Sequence, residues 1–367
     1  MSDGPYTPPP NPGRFVVQSM LALRAAVLKV LDVITPPELT VVEHTFALMR
    51  TQMIHVAAKL KIADHLENGP LDAAELARQT GAHPDALERM MRALAQIGVF
   101  RRQRDGRFVN NRVSRVLRRD ALGGPAFPEY FGAAYHAHAW AELEHTVMTG
   151  KSAFERVHGT SFWNYFDKHP EHGAIFGEAM SRITELDVPG VAALSVFRDV
   201  KKLCDVAGGS GMLLAGILAK HAHLSGMLFD QAARLDEARA RLRQRNVLSR
   251  CEFVAGDFFE SIPPGADAYL LKDVLHDWDD TRCLTILNNC RRAMQPKQRL
   301  LLVELLVTDE PAYPMVHFLD MEVMTVCSEG RQRTEAQFRE LLDATGFDLH
   351  AVHPLPGLST LLEGIAR

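Results

Sequence analysis

The spacing of apolar positions divides the chain into two stretches of different periodicity. From about residue 15 to 190, apolar residues recur at helical spacing, as in PELTVVEHTFALMRTQMIHVAAKLKIADHL, which predicts a nearly all-helical region. Within it, LDAAELARQTG reads as a helix capped by Asp72 and closed at Gly81, and HPDALERMMRALAQIG as a second helix closed at Gly98. VFRRQRDGRFVNN then reads as a hairpin turning at Asp105–Gly106. Helix, turn, helix and wing make the winged-helix pattern. From about residue 200, short apolar runs (KKLCDVAG, LSGMLFD, CEFVAGD, DAYLLKDVLH, RLLLVELLV, DLHAVHPL, STLLEGIA) are interspersed with amphipathic helices. That alternation predicts a parallel sheet covered on both faces. Ligands of such folds bind beyond the carboxyl ends of the strands, so function is sought there.

The first strand runs into DVAGGSG, residues 205–211. Glycines let a backbone turn tightly and approach a ligand. A dinucleotide fingerprint lacks its third glycine here, because that position is Leu214, and no Gly-Lys-Ser/Thr follows to make a P-loop. Asp205 suits an ammonium better than a phosphate, which favours a ligand with an amino-acid end such as S-adenosylmethionine. The second strand ends at Asp230, placed to accept ribose hydroxyls. The third leads to Asp257 and Phe258, which could accept from an adenine amino group and cover its face. Each acid taken singly could be a helix cap.

The fourth strand enters LKDVLHDWDD, residues 271–280. Lys272 and His276 are four apart, and on a helical turn they would be neighbours. A histidine at the tip of a parallel strand, followed by Asp277 and Trp278, is a candidate for chemistry.

Composition narrows the classes. The 367 residues allow two or three domains at ~100–200 residues each. A net charge of −4 argues against a dedicated nucleic-acid binder. The second winged-helix helix agrees, since its face is apolar (Leu87, Met90, Met91, Leu94, Ile97) and its only basic residues are Arg89 and Arg92. Packing or dimerisation is the expectation for this motif. No apolar run reaches the ~18 residues of a membrane span. The opening MSDGPYTPPPNPG has no signal-peptide pattern, and its Pro and Gly content predicts disorder over residues 1–14. Five cysteines without a CxxC pair read as free thiols of a cytoplasmic protein, and no clustered metal-ligand set is visible.

Together these segments resemble the S-adenosylmethionine-dependent O-methyltransferases of the plant caffeate and flavonoid type, which also occur in bacterial antibiotic and pigment pathways. DVAGGSG is similar to the family's DVGGGxG, LKDVLHDWDD to its K-x-x-L-H-D-W-x-D, and HGTSFWNYF (158–166) and FGEAM (176–180) to two further segments. The resemblance implies an α/β fold, a class I methyltransferase Rossmann-like sheet, preceded by an all-helical winged-helix-type dimerisation domain. The expected division is a dimerisation domain over 15–120, a helical linker lining the substrate pocket over 121–190, and a methyltransferase domain over 191–367. It implies Gly208, Gly209 and Gly211 as the turn under the cofactor's methionine part, Asp230 on the ribose, and Asp257 and Phe258 on adenine. Lys272 would reach the cofactor, Trp278 would close over the adenosine side, His276 would be the catalytic base and Glu304 its orienting acid. Phe162, Trp163 and Met180 would line the acceptor pocket, and Tyr130, Trp140, Met321 and Met324 join them as flat, apolar candidates.

Three positions depart from the family pattern. Ala207 replaces its first glycine, which is tolerable where the backbone dihedral is ordinary. Gln231 stands in FDQAAR where relatives have FD-L-P, so it adds or loses a cofactor contact. Gln332 stands where many relatives carry a second Glu beside the histidine, and it cannot supply a charge there. The expectation is a cytoplasmic, homodimeric, metal-independent enzyme that methylates a hydroxyl of an aromatic, polycyclic small molecule, with no nucleic-acid or membrane partner. The alternatives are an N-methyltransferase or non-methylating relative, and a winged-helix regulator.

Overall fold

The computed structural model describes residues 14–308, 315–327 and 329–367, so the disorder expected over 1–14 lies outside them save for Arg14. The chain forms two compact units. One is built on Leu28–Ala141 and Trp163–Ile183, the other on Glu142–Phe162 and Thr184–Arg367 together with residues 14–27. The stretch expected as a single linker, 121–190, is thus shared between them.

In the helical unit the winged-helix pattern is present. Asp72 Oδ1 accepts the Glu75 N–H at 2.8 Å to open the helix Ala73–Thr80, and Gly81 closes it at φ 73°. The helix Pro84–Gln96 follows, then the wing strands β1 (Arg101–Arg102) and β2 (Phe108–Val109), paired antiparallel. Leu87, Met91 and Leu94 point into a core with Leu76, Phe100 and Phe108. Burying each such side chain is worth about 1.5–3 kcal/mol, so the face that could have read DNA instead holds the unit together. The helices Pro37–Thr45 and Ala47–Lys59 leave Val41, Val42, Leu48 and Met49 exposed.

The other unit holds a seven-stranded sheet of β3 (Lys202–Val206), β4 (Ser225–Asp230), β5 (Cys251–Ala255), β6 (Ala268–Lys272), β7 (Arg299–Leu305), β8 (Phe347–Pro354) and β9 (Ser359–Ala366). The order is β5-β4-β3-β6-β7-β9-β8. The first five are parallel, but β9 runs antiparallel to both β7 and β8, which corrects the expectation of a wholly parallel sheet. A short turn joins β8 to β9, with Leu355 N–H donating to Ser359 O at 3.0 Å, and antiparallel neighbours need no crossover helix. Alternate residues face opposite sides. Leu203, Leu228, Leu270 and Leu301 enter one core cluster, and Cys204, Phe229, Tyr269 and Leu300 the other. Both faces are covered, so polar side chains of the parallel strands emerge mainly at the carboxyl tips, where ligands of doubly wound sheets bind.

Candidate active site

Asp205, the last residue but one of β3, is buried, and its Oδ2 has no hydrogen-bond partner among the described residues. Burial, with the nearby Asp230 charge, pushes its carboxyl pKa up to about 7. An orphaned acid at the floor of a glycine turn fits a ligand that brings an ammonium donor. The turn has no room to spare. A Cβ on Gly208 would stand 2.8 Å from Asp205 Oδ2, and one on Gly211 would stand 2.6 Å from Leu242 Cδ1. Ala207 sits at φ 57°, in the left-handed region, so the dihedral its methyl needed to be ordinary is not. Asp230 ends β4 and braces this turn: Oδ2 accepts the Gly209 N–H at 2.7 Å and Oδ1 the Gln231 N–H at 2.6 Å. Burial raises the Asp230 pKa, and these two amides work against the rise. The Gln231 side chain is exposed.

Beyond β5, Asp257 is exposed, and its Oδ1 accepts the Phe259 N–H at 2.8 Å. Phe258 and Trp278 are half-buried and meet across Phe259, whose ring centroid lies 4.7 Å from that of Phe258 and 4.8 Å from that of Trp278. Asn289 Nδ2 donates to the carbonyls of both phenylalanines at 2.9 Å, and the Arg282 guanidinium lies 5.1 Å from the Trp278 ring. The sequence reading missed Phe259, Asn289 and Arg282. The doubled Phe after Asp257 was the one available signal.

Lys272 ends β6, Asp273 turns at φ 52°, and a 3-10 turn covers Leu275–Asp277. Lys272 and His276 therefore do not share a helical turn, which corrects the i, i+4 reading. The Lys272 ammonium is bonded to the Asp273 carboxylate and lies 3.2 Å from Asp187 Oδ2, which also accepts from Ser359 Oγ at 3.1 Å. Burial alone would lower the Lys272 pKa, but the two carboxylates outweigh it and raise it.

Glu304, fully buried near the end of β7, divides its oxygens. Oε2 lies 2.9 Å from His276 Nδ1, while Oε1 accepts the N–H groups of Val274 at 3.2 Å and Leu275 at 2.9 Å. His276 Nε2 faces Asp277 Oδ1 at 3.4 Å, and the Cys327 thiol donates to that same oxygen at 3.7 Å. Burial works to lower the His276 pKa, yet Asp277, Glu304 and Asp273 together push it up to about 10. Burial raises Asp277 to about 6.

A second segment locks this turn from outside. Arg333, 1% exposed, donates to Leu275 O at 2.8 Å and Trp278 O at 2.7 Å, and to Asp280 Oδ1 at 2.7 Å. Arg331 N–H donates to His276 O at 2.8 Å. Gln332, between them, gives its N–H to Asp320 Oδ1 at 2.7 Å, and its buried Oε1 has no partner among the described residues. Asp279 caps the next helix, accepting the Arg282 N–H at 2.8 Å.

The acceptor-pocket candidates divide between the units. In the sheet unit, Met321 and Met324 are half-buried on the helix Met315–Val326, and Phe162 packs edge-on against Phe154 at 5.2 Å. In the helical unit, Tyr130 and Trp163 both meet Phe176, at 5.4 and 5.8 Å, and Met180 is half-buried. Trp140 lines an apolar cavity of about 1020 Å³ with Leu48, Ile54, Val116, Phe131 and His136. Asp273, His276 and Glu304 bring potential metal-donor atoms within 4.8 Å of one another, and so do His169, Glu171 and His172.

Comparison with known proteins agrees with this layout. Residues 140–348 match the O-methyltransferase domain and residues 42–120 the O-methyltransferase dimerisation domain. The mitomycin biosynthesis 6-O-methyltransferase of Streptomyces lavendulae is 38% identical over 299 residues, 81% of this chain and 85% of that protein. The phenazine-1-carboxylate N-methyltransferase of Pseudomonas aeruginosa is 30% identical over 84% of this chain and 91% of its own length. An O-methyltransferase of neocarzinostatin biosynthesis, crystallised with S-adenosylmethionine and 2-hydroxy-5-methyl naphthoic acid, superposes with a TM-score of 0.74 at 32% identity, covering 87% of this chain and 96% of that one. With both of its parts matched in order, the chain belongs to the O-methyltransferase family and is an S-adenosylmethionine-dependent O-methyltransferase.

Proposed function

We propose that His276 is the general base that takes the proton of an aromatic hydroxyl as that oxygen is methylated. The observation that carries this reading is the buried Glu304, which holds His276 Nδ1 at 2.9 Å and so directs Nε2 as the atom that receives the proton. When bound, S-adenosylmethionine supplies a methyl carbon that is already electrophilic. What remains for the chain is to hold the acceptor in line, worth ~7–11 kcal/mol, and to remove its proton, worth ~10²–10⁴-fold. A phenol has a pKa of ~10, so a histidine pushed to about 10 takes its proton with little uphill cost in the fraction of molecules where the ring is neutral, a fraction that grows as pH rises. Asp277, raised towards neutrality, faces the same nitrogen and stabilises the imidazolium that forms.

Asp205 and the turn of Gly208, Gly209 and Gly211 would hold the amino-acid end of the cofactor, Asp230 its ribose, and Asp257, Phe258 and Trp278 its adenine, with exposed Gln231 at the rim. Lys272 is a positioning residue here, since Asp187 and Asp273 occupy its ammonium. Tyr130, Trp140, Phe162, Trp163, Met180, Met321 and Met324 remain the candidates for a flat, apolar acceptor. Naphthoate and mitomycin relatives support a polycyclic one. The exposed apolar residues of Pro37–Thr45 and Ala47–Lys59, beside the dimerisation match, support a homodimer. The five free cysteines suit a reducing cytoplasm, the location proposed here; separately, no described helix is long and apolar enough to cross a membrane.

A second reading, methylation of nitrogen, draws on the phenazine-1-carboxylate relative. His276→Ala separates the two. Loss of turnover on a phenolic acceptor with cofactor binding intact supports the base, whereas near-normal turnover removes it.

A further inference from the structure

Outside the site already described, the helical unit gathers three donors of a transition-metal type where the helices Phe162–Lys168 and Pro170–Ala192 meet. His169 Nδ1 and His172 Nε2 stand 3.8 and 3.9 Å from a single Glu171 oxygen, Oε1, and the three donor atoms lie within 4.8 Å of one another. A tetrahedral zinc ion holds such ligands at ~2.0–2.2 Å, hence about 3.4 Å apart, so these two edges need close by only about 0.5 Å.

The neighbours of His172 fit the role. The Tyr165 hydroxyl lies 3.1 Å from its Nδ1, the outer hydrogen bond that orients metal-binding histidines and directs Nε2 to the ion. The Tyr135 ring stacks on the same imidazole at 4.4 Å. His169 is the adaptable ligand. Its ring stands 5.4 Å from that of His172 at an interplanar angle of 22°, so coordination requires it to turn about Cβ–Cγ. That turn gives up the stack of His169 on the Tyr165 ring at 4.2 Å, and at 42% exposure the side chain has solvent to turn into.

We propose that His169, Glu171 and His172 form a binding site for a divalent transition metal of the zinc, cobalt or nickel class, with water completing the coordination. Two imidazoles and one carboxylate suit these ions, whereas magnesium and calcium take oxygen ligands. The site shares no residue with the His276 group. It ties His169, the residue that joins the two helices, to the first turn of the second, in the pair that carries Trp163 and Met180. Occupancy stiffens that pair.

The test uses Co²⁺ alone as the probe, on the full chain without an affinity tag. The expected result is a visible absorption band that saturates at one ion per chain and a higher melting temperature at saturation. The H169Q/H172Q variant loses the band, Glu171→Gln weakens binding by at least the ~10–100-fold that loss of a mere outer-shell partner costs, and His276→Gln keeps it. Glu171 is largely exposed, so its variant carries the test should the double variant misfold. The proposal is overturned if no band saturates at one per chain or if the band survives in H169Q/H172Q. It is equally overturned if His276→Gln abolishes the band, which assigns the ion to Asp273, His276 and Glu304, or if a thiolate-to-cobalt band appears, which assigns it to cysteine.

Discussion

Glu304 holds His276 at 2.9 Å and, with its other oxygen, accepts the backbone N–H groups of Val274 and Leu275, so one buried carboxylate sets both the ring and the turn that carries it. Glu304→Gln keeps the size of the side chain but removes the charge that stabilises an imidazolium. It should lower kcat on a phenolic acceptor by ~10²–10⁴-fold. Affinity for S-adenosylhomocysteine, measured by calorimetry, should stay within a few-fold. An equal loss of both would make Glu304 purely structural.

His276 ties rate and stability to pH in opposite directions. With its pKa at about 10 in the fold and 6.5 as the ordinary value, it is mostly protonated at neutral pH, so kcat/KM should climb as pH rises towards 10. The sign for stability is the reverse. A raised pKa contributes stability that is fully present below pH 6.5 and is lost as pH rises through about 10. Urea unfolding of the wild type and His276→Gln at pH 7 and pH 10 should show the gap between them narrowing. A gap that widens contradicts the assignment.

Asp205 titrates near 7 in the fold, and an ammonium ligand needs it ionised. Below that pH, binding must also remove its proton. The affinity of the wild type relative to Asp205→Asn should therefore rise by about tenfold per pH unit up to neutrality and then level off. Using the ratio cancels the ligand's own titration, and a flat ratio from pH 5 to 8 defeats the idea.

Ala207 occupies a left-handed conformation at φ 57°. An L-residue there costs ~1–2 kcal/mol, partly offset by the greater freedom of glycine in the unfolded chain. Ala207→Gly should raise stability by about 1 kcal/mol. A chemical denaturation midpoint that falls would show the methyl making a favourable contact.

Lys272 lies between two carboxylates, with only 6% of its side chain exposed. Lys272→Met leaves Asp187 and Asp273 without their cation and should destabilise the fold by ~3–5 kcal/mol. Adding Asp187→Asn to that variant should restore part of the loss. No restoration would mean the pair is not coupled.

These predictions rest on features of unequal visibility in the sequence. Asp205, Asp230, Asp257 and His276 were legible because each follows an apolar run, and a strand tip is the one place where a doubly covered sheet releases a polar side chain. Asp187 was not legible. It reaches Lys272 from a helix 85 residues earlier, and no local spacing encodes that meeting. Lys272 and His276 were misread as helical neighbours because the left-handed Asp273 breaks the path between them, and aspartate carries only a weak signal for that conformation. The reversed β9 was hidden for a different reason: apolar alternation reports which face is buried and says nothing of strand direction. His169, Glu171 and His172 stood in plain sight as HPEH, and only the placement of Tyr165 beside them gave the spacing a meaning.

Arg333 adds a last consequence. It grips the carbonyls of Leu275 and Trp278 from a different part of the chain, so the loop bearing His276 is shaped by a splint and depends less on its own residues. Gln332 sits in that splint, beside the grip and outside the loop. The shape of that loop therefore answers to changes far from it in sequence: loss of the Arg333 grip frees the Leu275 and Trp278 carbonyls without any change in residues 271–280.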